Sequence, residues 1–321
     1  MPKCRPRPDP SKGHTMIYDA SAQTVVGNLG WVDKGALWLF ELQTRTESRL
    51  VVEGAGFLSL RAGQNGLFRL VHHQSADCAV SIRSTREPDI ELASIRVERG
   101  RPRFFGNLDL WKFVEPAVVL VTGDGQRLFL IDAPGEQLID LDLSWFTEAN
   151  HDLGYQGLTD CLSLAGADRI VVSVQRSSNL VVIDSQRNER IGSIMLAGRG
   201  GNPQLRQYSD VEFVASDYDT LCRVDAKKLA LAGATRLQEA DASNKQQFIG
   251  DYDLGSATCA VARPFSGDIL LLDLPHFNVL SRVPVGGQPL AICMTSKSHF
   301  LTRDWHTGHP EVGEFHLNGA Q

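Results

Sequence analysis

Short apolar runs, each closed by a polar turn, recur along most of this chain. Four of them align closely: Phe129-Leu130-Ile131-Asp132, Val181-Val182-Ile183-Asp184, Cys222-Arg223-Val224-Asp225 and Leu270-Leu271-Leu272-Asp273. Each ends in Asp and is followed by a turn (Ala-Pro-Gly-Glu, Ser-Gln-Arg-Asn, Ala-Lys-Lys, Leu-Pro-His-Phe) and a second strand-like run, at 137–143, 190–196, 229–237 and 278–285. Runs of this length bounded by turn residues predict antiparallel hairpins. No segment keeps apolar residues at i, i+3, i+4 and i+7 over three turns, so long helices are not predicted.

The four Asp residues are 52, 41 and 48 residues apart, the span of one four-stranded propeller blade, about 40–50 residues. Weaker copies at Phe40-Glu41, Ile82-Arg83 and Gly313-Glu314 extend the series at spacings of 42, 49 and 41. The predicted fold is therefore an all-β propeller of seven blades, each of four antiparallel strands. A rival register, in which Met16-Ile17-Tyr18-Asp19 is itself a copy, lies only 22 residues before Glu41 and leaves six or eight blades open. Few residues follow Glu314, so a strand within 16–29 is expected to supply the last blade's outer strand and close the ring. Residues 1–14 read as a flexible basic, proline-rich tail and 15–321 as one domain.

Residues 158–196 run as apolar strand, Gly-Ala-Asp-Arg turn, Ile170-Val171-Val172-Ser173-Val174, polar turn, Leu180-Val181-Val182-Ile183-Asp184 and a final strand. This resembles YVTN-type and NHL-type β-propeller repeats. Val285-Gly286-Gly287-Gln288-Pro289 is similar to their link from an outer strand to the next inner one. The resemblance covers about 117–301 and implies fold, not function. The recurring Asp is expected to accept backbone N–H bonds from the turn that follows it. Trp38, Phe40, Phe57, Phe68, Phe129 and Phe213 fall on apolar strands, where they would pack between blades. Trp31, Trp111, Trp145 and Trp305 fall in or near connections.

The 321 residues are 42% hydrophobic and 22% charged, with a formal net charge of −6. That balance argues against a broad nucleic-acid footprint, which needs a basic face. No apolar run approaches a membrane span. The first fourteen residues lack the apolar core of a signal peptide. Cys4, Cys78, Cys161, Cys222, Cys259 and Cys293 are widely spaced with no C-x-x-C pair, which fits free thiols and a cytoplasmic location.

Chemistry is expected where links return to the channel. Four links are long or polar, at 107–115, 144–160, 199–210 and 242–253. They carry the candidate ligand-binding residues His151, Asp152, Tyr155, Asp160, Arg206, Tyr208, Asp210, Gln247, Asp251, Tyr252 and Asp253. Meeting on one face, these donors, acceptors and rings would suit a small polar ligand or a protein partner, with Arg206 as a fixed positive fork. The predicted function is a non-enzymatic binding or scaffold propeller without a cofactor. The alternative is a lactonase-like, metal-assisted hydrolase or lyase. There Asp109, Asp160, Asp210 and Asp253 would hold Ca2+ or another divalent cation, and His151 would act as base. His72 and His73 are adjacent on a strand and so face opposite sides. His306 and His309 lie in a turn. No G-x-S-x-G elbow, P-loop or dinucleotide fingerprint is present.

Overall fold

The computed structural model describes residues 14–33, 35–53, 57–62, 67–73, 77–98, 118–121, 127–131, 138–142, 158–174, 177–184, 187, 189–237 and 248–316. Apart from single helical turns at Gly30–Asp33 and Ala165–Ala167, these residues form strands and their connections. Every pairing is between sequence neighbours and antiparallel. The first sheet holds β1 (His14–Asp19), β2 (Thr24–Leu29), β3 (Ala36–Glu41) and β4 (Thr46–Val51). The second holds β5 (Phe57–Ala62), β6 (Leu67–His73), β7 (Asp77–Ser84) and β8 (Glu91–Glu98). A third contains β9 (Val118–Val121), β10 (Arg127–Ile131) and β11 (Leu138–Asp142). The fourth comprises β12 (Leu158–Leu164), β13 (Arg169–Val174), β14 (Asn179–Asp184) and β15 (Glu189–Met195). The fifth has β16 (Gln204–Gln207), β17 (Glu212–Asp217), β18 (Thr220–Asp225) and β19 (Ala230–Arg236). The sixth has β20 (Asp251–Leu254), β21 (Thr258–Arg263), β22 (Asp268–Asp273) and β23 (Val279–Pro284). The last has β24 (Pro289–Met294), β25 (His299–Asp304) and β26 (Pro310–Glu314).

The sequence repeat maps onto this order. Glu41, Asp184, Asp225, Asp273 and Glu314 end β3, β14, β18, β22 and β26, and Arg83 lies in β7. Asp132 follows β10 and lies outside the described residues. Three of the aspartates close their turns as expected. Asp184 Oδ1 accepts from the Arg187 N–H at 3.0 Å. Asp225 Oδ1 accepts from Lys227 and Lys228 at 3.0 and 2.9 Å, and Asp273 Oδ1 accepts from Asn278 at 2.6 Å. The cap holds a strained residue in place: Leu229 and Phe277, at the ends of the last two turns, have φ of 53° and 58°, a region that costs L-residues energy.

Burial separates inner from outer strands. The middle strands β17, β21 and β22 are buried at five of six positions, whereas β4 and β19 are almost wholly exposed or half-buried. This corrects the expected role of residues 16–29. Val25, Val26 and Leu29 are buried, as an outer strand could not be. β1 pairs with β2, and β2 with β3, as the inner half of the first sheet. Asp19 also differs in place from the Asp184, Asp225 and Asp273 motif, whose aspartates end third strands. Asp19 ends an inner strand, and its cap, accepting from the Ser21 N–H at 2.8 Å, is a local turn.

Side chains pack between successive sheets. One cluster joins the fourth and fifth sheets through Leu164, Val182, Leu205 and Phe213. Another joins the fifth and sixth through Val214, Leu221, Tyr252 and Leu270, and Leu271, Ile292 and Phe300 join the sixth and last. Met16, Val25 and Trp38 of the first sheet pack with Leu290, Leu301 and Trp305 of the last. Ile17, Val26 and Leu37 pack on Leu58, Phe68 and Leu70 of the second. The first and last sheets are thus neighbours, and β1 lies beside β24. Among the described residues no helix is long and apolar enough to cross a membrane.

Candidate functional site

Asp160, Arg206, Asp251, Tyr252 and Asp253 lie on the inner strands β12, β16 and β20, not in the links as expected. His151, Asp152, Tyr155, Gln247 and Asp109 fall outside the described residues. Tyr208 packs against the cluster that holds Tyr252, whereas Asp210 separates from Arg206. The link enters β16 at Gln204, and the turn that carries both residues leaves at its other end, where the Tyr208 and Ser209 N–H groups donate to the Glu212 carbonyl at 3.0 and 2.9 Å. Asp210 is exposed there. One mouth therefore does not gather the whole predicted set.

What the inner strands do assemble is a chain of polar clasps between sheets. Asp160 Oδ2 accepts from the Leu205 N–H across to β16 at 2.8 Å. Arg206 Nη2 donates to Asp251 Oδ1 on β20 at 2.7 Å. Asp251 Oδ2 and Asp253 Oδ2 accept from the Ile292 and Met294 N–H groups of β24 at 3.3 and 2.8 Å. The Arg206 guanidinium sits 5.2 Å from the centroid of the Tyr252 ring. Tyr252, fully buried, directs its hydroxyl at the carbonyls of Gln204 and Val214, 2.9 and 2.7 Å away. Tyr252 is thus a core residue, not an exposed contact.

Electrostatics agree with a structural role. Burial disfavours the Arg206 cation, but Asp251 and Asp253 outweigh it and raise its pKa. Burial raises the Asp253 carboxyl, against the pull of Arg206 and the Met294 N–H. It also lifts the Cys259 and Cys293 thiols well above their ordinary value and brings Cys222 to about 11, so these three free thiols stay protonated and inert. Among the described residues no three His, Cys, Asp or Glu side chains come together as metal ligands. Of the alternative cation set, Asp109 lies outside the described residues, Asp160 and Asp253 each accept a backbone N–H of the next sheet, and Asp210 is exposed in the turn after β16.

The face where the links return carries a different feature. Links and the second-to-third-strand turns meet there. The Ile249 N–H donates to the Tyr218 carbonyl at 2.7 Å, and the Trp305 N–H to the Gln288 carbonyl at 2.8 Å. Those turns present Tyr218, Phe265, Trp305 and His306, and a link presents Phe248. Ring centroids are 6.5 Å apart for Tyr218–Phe248, 5.3 Å for Phe248–Phe265, 5.1 Å for Phe248–Trp305 and 5.8 Å for Trp305–His306. An aromatic strip thus crosses the connections of the last three sheets. Phe265 is 40% exposed, and Trp305 is buried beneath it at 6%. Beside the strip, Asp219 takes Arg236 at 2.8 Å and Arg199 at 3.8 Å, and Asp268 takes Arg263 and Arg282, both at 2.5 Å. Trp305 is the one residue of this strip that its place in a connection had singled out. The missed signal is an aromatic turn residue, an Asp one or three positions later, and an outer-strand Arg 14 or 17 residues beyond that Asp.

No protein-family model matches the chain, and no curated protein does. Solved structures match in fold. The Cps50 (Swd1) β-propeller domain of Myceliophteria thermophila is similar at TM-score 0.68 and 13% identity, covering 95% of this chain and 98% of that one. Kuenenia stuttgartiensis hydrazine synthase is similar at TM-score 0.66 and 9% identity, covering 99% of each chain. The RRP9 WD40 repeats are similar at TM-score 0.63 and 9% identity, over 90% and 86%. The fold is a β-propeller.

Proposed function

We propose that the protein is a non-enzymatic binding platform that holds a protein partner on its link face, over the aromatic strip. The observation that carries this is the position of Phe265, an exposed ring set on a layer of packed rings at the meeting point of three sheets. Aromatic and Arg side chains are enriched where proteins dock, and a ring braced from below loses little freedom on binding. The inner-strand carboxylates belong to the scaffold in this reading. We read the ring as seven blades, one per sheet, closed by packing of the first sheet on the last, with strands of YVTN or NHL type and the thiols of a cytoplasmic protein. A photo-crosslinking residue placed at Phe265 in cells, against one at the exposed outer-strand Met195, tests the platform. A discrete adduct at position 265 and none at 195 is expected. Equal or absent labelling at both positions overturns the proposal.

A further inference from the structure

The charge around the strip says what kind of partner it takes. Asp219 and Asp268 are 3% and 2% exposed, whereas Arg199, Arg236 and Arg282, which reach over them, are 55%, 44% and 49% exposed. The carboxylates are thus covered, while the arginine side chains that cover them stay about half exposed. An approaching chain meets arginine on the Tyr218 side and on the Phe265 side, with apolar rings between. At the other end of the strip Asp304 spends one oxygen on the N–H groups of His306 and Thr307 and the other on Gln288, and burial of its carboxyl is outweighed by these bonds, which lower its pKa. The anionic end is therefore turned to its own backbone, and the cationic end to solvent.

Resting on the platform reading, we infer that the strip binds an extended segment of a partner protein in which aromatic or large apolar side chains alternate with Asp or Glu. The aromatic residue would seat on Phe265 and Phe248, and the flanking carboxylates would pair with Arg236, Arg199 and Arg282 through charge-assisted bonds. Single-stranded nucleic acid would also meet arginines and rings, but base stacking needs open ring faces. Here Trp305 stacks on His306 at an interplanar angle of 8°, and Phe248 meets Phe265 and Trp305 edge to face, so the strip has no row of parallel open faces on which successive bases could stack.

Fluorescence anisotropy with three labelled hexapeptides tests this: one alternating Glu or Asp with Phe and Trp, one with Lys or Arg in the acidic positions, and one with Ser or Gln. A labelled oligouridylate is the fourth probe. Wild type should bind the acidic peptide at least tenfold more tightly than the basic one, and the affinity should fall as salt rises. Phe265→Ala and Arg236→Gln should each weaken it about tenfold while leaving the melting temperature within a few degrees. Preference for the basic or neutral peptide, still lost in Phe265→Ala, overturns the acidic partner and leaves the platform standing. Phe265-dependent binding of the oligouridylate overturns it in favour of nucleic acid. Acidic-peptide binding that ignores both substitutions also overturns it, and the crosslink at position 265 then decides the platform by itself.

Discussion

The same side chain is set two opposite tasks in this chain. At the ends of third strands, aspartate is half-buried at Asp184 and Asp273 and buried at Asp225, and receives one or two N–H groups of the turn that follows. The bond and charge of Lys228 lower the Asp225 pKa, and the bonds from Asn278 outweigh burial at Asp273. On β20, the half-buried Asp253 accepts one N–H of the next sheet, and burial raises its pKa above the ordinary 3.8. A carboxyl whose folded pKa is raised favours the fold most when protonated. Its contribution is full below about pH 4 and is lost as pH climbs from there through the raised value. Asn cannot ionise and still offers an oxygen to the Met294 N–H. Asp253→Asn should therefore melt close to wild type at pH 4 and progressively above it towards pH 8. Parallel melting curves across that range would show that the carboxylate is not strained.

Strands were easier to read than their neighbours. The Asp-terminated runs located β14, β18 and β22 because a buried middle strand must be apolar on both faces and must end at a turn that needs a cap. The inner strands were harder. β16 and β20 are four residues each and carry Arg206, Asp251 and Asp253, so their polarity looked like a link. Their partners lie 41–45 residues away, out of reach of any local pattern. Residues 16–29 were misplaced for the complementary reason: a hairpin motif says that strands pair, not which layer they occupy. The clasp between β16 and β20 is an element-scale device, and it can be measured as one. Asp251 is fully buried and Arg206 is 24% exposed. Removing either alone leaves a poorly solvated charge, which costs roughly 3 kcal/mol, while removing both costs less than the sum. A double-mutant cycle with Arg206→Met and Asp251→Leu, read by chemical denaturation, should give a coupling of about 2 kcal/mol. Additive losses would mean that the pair is incidental to the clasp.

At the scale of the molecule, the first and last sheets have to be held together although 270 residues separate the groups that hold them. Arg303 on β25 donates from Nη1 to Asp33 Oδ2 at 2.8 Å and from Nη2 to Oδ1 at 3.1 Å, a two-pronged pair in which both side chains are at most 1% exposed. Its Nε donates to the Gly308 carbonyl at 2.9 Å, and its guanidinium stacks 4.2 Å from the Trp38 ring centroid. Asp33 in turn accepts the Leu29 N–H at 2.6 Å. Between the first and second sheets, the Thr85 hydroxyl donates to Asp19. One buried carboxylate thus fixes a turn of the first sheet and a strand of the last. Asp33→Ala would strand the Arg303 cation in the core and free the Leu29 N–H, a loss of about 3–5 kcal/mol. The location of the damage is more telling than its size. Contacts between distant parts of a chain open as cooperative units, so hydrogen exchange should accelerate together in β1–β3 and in β24–β25. The fifth sheet, two interfaces away, should keep its protection until global unfolding. Faster exchange confined to residues 29–36 would mean that Asp33 serves only its own turn, and that apolar packing alone joins the first and last sheets.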